Sequence, residues 1–101
     1  MGEAGPAGLL KKGTTWLDSK VVFSTKDDGL EAAAMMVWKI SRQIRMRQGE
    51  MRMSTSDLAF KANLTRQTVT SVAMGTSWPD ARTLGQLCSV LGLEITTVGT
   101  A

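Results

Sequence analysis

The stretch MSTSDLAFKANLTRQTVTSVAMG, Met53 to Gly75, decides the fold. Ser54 and Asp57 stand three residues apart ahead of an apolar run. At that spacing a side-chain oxygen accepts a backbone N–H that a helix start would otherwise leave unpaired. Met53 just before the cap is placed to pack on Leu58. Leu58, Ala59 and Ala62 then share one helical face, and Asn63, which tolerates the left-handed conformation, predicts the exit. Thr65 and Thr68 repeat the cap spacing, with Leu64 and Val69 in the flanking packing positions. A second helix is therefore expected two residues beyond the end of the first. Val69, Val72 and Ala73 form its inward stripe, Gly75 ends it, and Arg66, Gln67, Thr70 and Ser71 are left facing outward.

Beyond Gly75, TSWPD breaks the chain and Asp80 caps a further helix over 81–91. Leu84, Leu87, Cys88 and Leu91 form its stripe and Gly92 its end. The tail LEITTVGTA is β-branched and predicts a short strand at about 93–98, pairing with residues 21–23 or with its own copy in a dimer. Upstream, Asp28 and Glu31 have capping-box spacing before EAAAMMVWKISRQIRMRQ, which predicts a helix over about 29–48. Ala33, Met36, Val37, Ile40 and Ile44 are its expected buried face, with Lys39, Arg42 and Arg45 off it, and Gly49 weakens or ends it. Trp38 is expected to pack and Trp78 to cover the end of the 81–91 stripe. Met35, Met36, Met51 and Met53 read as core or dimer filler. Before this helix, Val21, Val22 and Phe23 favour a short strand at about 20–24. Residues 1–13 carry four of the ten glycines and no periodicity, and read as a flexible arm without core residues.

A chain of 101 residues, 43% hydrophobic and 21% charged, suits one domain with a small core, here 14–101. No run approaches the roughly 20 apolar residues of a membrane span, and the N-terminus lacks the pattern of a secretion signal, so a cytoplasmic protein is expected. There is one cysteine and no histidine. That removes an intrachain disulfide, the usual zinc sets and histidine-based catalysis, so no enzyme activity, metal or cofactor is expected. The net charge of +3 is unevenly spread. Between Ala32 and Arg66 lie Lys39, Arg42, Arg45, Arg47, Arg52, Lys61 and Arg66 against Glu50 and Asp57 alone. Such a patch suits a polyanion, although a solvated helix face also explains it.

The run from Ser56 to Leu93 resembles the helix-turn-helix of the phage-repressor family, the Cro/repressor or XRE type. The resemblance rests on Leu58-Ala59, the small turn ending in Leu64-Thr65, Val69 and Val72, Gly75, Pro79, and the Leu84/Leu87/Leu91 helix ending in Leu-Gly. It implies a mainly α fold, a compact bundle of about four helices. It also implies that the second helix of the pair enters the DNA major groove while the first crosses the phosphate backbone. Arg66 and Gln67 then meet base edges, Arg suiting guanine O6 and N7 and Gln adenine N6 and N7, with Thr70 and Ser71 one turn on. Thr55, Thr65 and Thr68 lie near helix starts that favour phosphate, and Arg52, Lys61 and Arg82 add charge. Thr68 also reads as no more than part of a cap.

Two departures stand out. Many relatives place Glu near the end of the recognition helix, paired with an Arg of the first helix. Ala73 stands there, which leaves Arg45 and Arg47 free. The link QGEMRM also aligns poorly with the family. The expected function is a sequence-specific regulator of double-stranded DNA, a small repressor of the phage-immunity or Cro kind, binding as a homodimer to a two-fold operator. The alternatives are an antitoxin that binds its operator and a toxin, and a protein-interaction module that kept the fold without DNA binding.

Overall fold

Asp27, Ser54, Thr65 and Asp80 each turn a side-chain oxygen onto the backbone N–H three residues ahead, and a helix begins after each. In the computed structural model, which describes residues 5–94, these starts define α1 (Asp28–Glu50), α2 (Thr55–Ala62), α3 (Arg66–Met74) and α4 (Ala81–Leu91). The chain leaves α2, α3 and α4 through Asn63, Gly75 and Gly92 at φ 58, 70 and 68°. Each left-handed residue lets the backbone turn back onto carbonyls of the last helical turn.

The start of α1 is one residue earlier than Asp28 and Glu31 imply. Adjacent Asp27 and Asp28 offer the same chemistry in two registers, and Asp27, with extended backbone, takes the cap. Its end also differs. Gly49 lies inside α1, and the reversal falls on Arg52 at φ 53°. The Met53 N–H donates to the Gln48 carbonyl at 3.0 Å, which closes the poorly aligned QGEMRM link in a few residues.

Two apolar clusters fill the interior. The first joins Ile44 of α1 to Leu58, Ala59 and Ala62 of α2, Val69 and Val72 of α3, and Leu84, Leu87 and Leu91 of α4, with Met53 and Leu64 packed at its edge. The second gathers Trp16, Val21 and Phe23 against Ala34, Val37 and Trp38 of α1. Serving both clusters rotates the buried stripe of α1 to Ala34, Val37, Trp38, Ser41 and Ile44. Ala33 and Ile40 are half-buried, and Met36 is exposed at 54%. Ser41 escapes an apolar count, yet its hydroxyl donates to the Val72 carbonyl at 2.7 Å and so is buried at no polar cost. Met51 is likewise exposed, so of the four methionines expected as filler only Met35 and Met53 pack.

The N-terminal segment departs most from expectation. Gly5 and Pro6 are buried, a 3-10 turn spans Pro6–Leu9, and Leu9 and Leu10 pack on the second cluster. The expectation of an arm without core residues is thereby corrected. The segment finds partners among backbone groups some seventy residues away, which no local periodicity encodes. A strand at 20–24 does not form either. One antiparallel bridge between Leu10 and Phe23 is present instead, flanked by Lys11 N–H to Val22 O at 2.8 Å and Ser24 N–H to Leu9 O at 2.7 Å. Burial of Val21 and Phe23 against α1 settles that stretch without a ladder. Trp78 packs on the second cluster rather than on the α4 stripe. The strand expected at 93–98 falls almost wholly outside the described residues. Among the described residues no helix is long and apolar enough to cross a membrane.

Candidate nucleic-acid interface

Three residues, Asn63 to Thr65, separate α2 from α3. Asn63 reverses the chain, Leu64 anchors it in the first cluster, and Thr65 caps α3 with its hydroxyl on the Thr68 N–H at 3.1 Å. One residue of each type therefore sets the angle between the two helices. Val69 and Val72, each 1% exposed, turn one face of α3 inward. The opposite face presents Arg66, Gln67 and Thr70 to solvent, with Ser71 half-buried beside them. Capping leaves the first N–H groups of α3 pointing outward, at the positive end of its dipole.

The residues expected at phosphates divide into three groups. Thr65 and Thr68 stand together at the start of α3, their hydroxyls 2.8 Å apart. Thr68 thus takes part in the cap, and one hydroxyl of the pair retains acceptor capacity. Lys61 and Arg82 come together across a shallow cleft of about 460 Å³ between the end of α2 and α4, which Asn63 also lines. Thr55 and Arg52 lie at the opposite end of α2. Thr55 Oγ1 accepts from Gln48 Nε2 at 3.4 Å, so Gln48 reaches this surface from α1. Sequence reasoning missed Gln48 because only the tight Arg52 turn brings the end of α1 back onto the start of α2.

The charge pattern is redistributed by the fold. Arg45 and Arg47 are not free, as the missing Glu at position 73 implied. Arg45 Nη1 donates to the Ala73 carbonyl at 2.7 Å, and Arg47 Nε to the Leu91 carbonyl at 2.9 Å. A terminal carbonyl at the negative end of a helix dipole replaces a carboxylate as the acceptor. Burial, and then the neighbouring Arg42 charge, lower the Arg45 pKa, yet guanidinium remains protonated at any physiological pH. Arg42 lies over the Trp38 ring at 5.6 Å. The basic middle third therefore serves two ends. Arg45 and Arg47 hold helix termini, whereas Arg52, Lys61 and Arg66 stay exposed and Arg82 joins them from α4.

Comparison with known proteins agrees with this geometry. A family model described as helix-turn-helix matches residues 42–98. No curated protein and no solved structure matches the chain.

Proposed function

The chain belongs to the helix-turn-helix family of the XRE type, a family of DNA-binding transcription regulators rather than enzymes, and we propose that it is a sequence-specific repressor acting as a homodimer on a two-fold operator. The observation that carries this reading is the exposed start of α3. Its buried valines fix the helix in the protein, while Arg66, Gln67 and Thr70 are left together on its solvent-exposed face. Arg66 and Gln67 read bases, with Thr70 and Ser71 one turn on. Thr55, Thr65 and Thr68 engage phosphates, and Lys61, Arg82 and Arg52 supply charge along the backbone.

One helix of nine residues reads few base pairs. A two-fold dimer doubles the contacts and demands half-sites about 34–36 Å apart. A small repressor of this kind works in the cytoplasm of a bacterial or phage-infected cell, and the phage-immunity role follows from family likeness alone.

The test is a selection of bound DNA from random duplexes, followed by titration of Arg66→Ala and Gln67→Ala on the selected site. Each substitution should cost about 1–3 kcal/mol and relax preference at one or two positions, while non-specific, salt-sensitive binding persists. Undiminished affinity for the selected site in both variants refutes the assignment.

A further inference from the structure

The far end of α3 is gripped by a part of the chain that precedes the family match. Trp16 Nε1 donates to the Ala73 carbonyl at 3.1 Å, the same oxygen that Arg45 engages. Ala7 N–H donates to Gly75 O at 2.8 Å and Gly5 N–H to Thr76 O at 3.2 Å. Contact is close on both sides. A Cβ on Gly75 would lie 2.5 Å from the Trp16 ring, and one on Gly5 would collide with the backbone of Thr76 and Ser77. Trp16 is itself tied down, since its carbonyl accepts from Trp38 Nε1 at 2.9 Å and its ring meets Phe23 edge-on at 6.3 Å. None of these N-terminal residues lies within 42–98.

We propose that residues 5–24 form a brace that sets the tilt of α3 and thereby its base preference, with Trp16 and Arg45 as positioning residues. The inference rests on the reading of α3 as the helix that meets DNA. Its lever is simple. A helix of nine residues is about 13 Å long, so a tilt of about 5° about its braced end moves Arg66 and Gln67 by about 1 Å. Hydrogen bonds to base edges do not survive such a shift, whereas attraction to phosphates barely changes with it. The brace therefore acts on sequence preference and leaves non-specific affinity alone.

Deleting residues 1–24 would strip half of the second cluster and confound folding with positioning, so substitutions within the full chain serve better. Trp16→Phe removes the Nε1 donor without changing charge, and Trp16→Phe with Arg45→Met removes both donors to Ala73. Two readouts are taken: amide hydrogen exchange, and the ratio of affinity for the selected duplex to affinity for random duplex. Exchange at Gly75 and Thr76 should rise about tenfold in the double variant with α2 and α4 amides unchanged. The affinity ratio should fall about tenfold, and Trp16→Phe should keep the parent's non-specific affinity and salt dependence. Unchanged protection at Gly75 and Thr76 overturns the brace. So does an equal loss of specific and non-specific binding, which marks a loss of folded protein. A parent that selects no sequence at all would instead refute the function proposed for α3, and the exchange data would still decide whether the brace exists.

Discussion

Single residues decide how α3 is held. Asn63 and Gly75 both adopt positive φ, at 58 and 70°, but their surroundings differ. Asn63 is exposed, so Asn63→Gly keeps the turn and should change stability by less than about 1 kcal/mol. Gly75 faces the Trp16 ring. Gly75→Ala adds backbone strain to a collision and should cost about 2–5 kcal/mol, read as a shift in denaturant midpoint. An equal effect at the two positions would contradict the packing described. The αL role of Gly75 is legible from its place after a helical stripe, but its second role is not. Trp16 is 59 positions away and nothing local marks it as the partner. The hold on Arg45 is hidden in the sequence for a related reason. Ala73 offers no side-chain carboxylate, but the backbone carbonyl of any residue there still offers an acceptor.

At the scale of elements, legibility follows capping chemistry. Ser54, Thr65 and Asp80 each stand three residues before the N–H they accept, and α2, α3 and α4 begin where that spacing places them. Where two acids were adjacent, at the start of α1, spacing alone was ambiguous. Asp80 also makes the start of α4 sensitive to pH. Hydrogen bonds from the Thr83 backbone and side chain hold its carboxyl below the usual aspartate range, against a small opposing effect of desolvation, with Arg82 helping. A folded pKa below the unfolded one adds stability that is complete above the unfolded value and vanishes as pH falls through the folded value. Asn at position 80 keeps the cap acceptor without the proton. The advantage of the parent over Asp80→Asn should therefore shrink steadily from about pH 5 to about pH 2 in chemical denaturation. A constant difference across that range would show that the cap does not depend on the charge.

Over the whole molecule, two clusters share α1 and meet at α3. The first is the core of the matched domain, and its residues follow helical periodicity closely enough to read from the chain. The second depends on Trp16, Val21 and Phe23 folding back across α1, a tertiary event without a local pattern. Cys88 is buried on α4, and that burial pushes its thiol pKa up, consistent with a packing role. The candidate site divides the same way. Arg66, Gln67 and Thr70 were legible as the outward face of a short helix, while Gln48 and the grip on Ala73 required the fold. The central claim is that this outward face enters a DNA groove. Backbone amide shifts of labelled protein titrated with its selected duplex test it most directly. The account predicts the largest changes at Thr65 to Ser71, with smaller ones at Thr55 and Lys61. Changes confined to α1 and α4, with the start of α3 unperturbed, would contradict it.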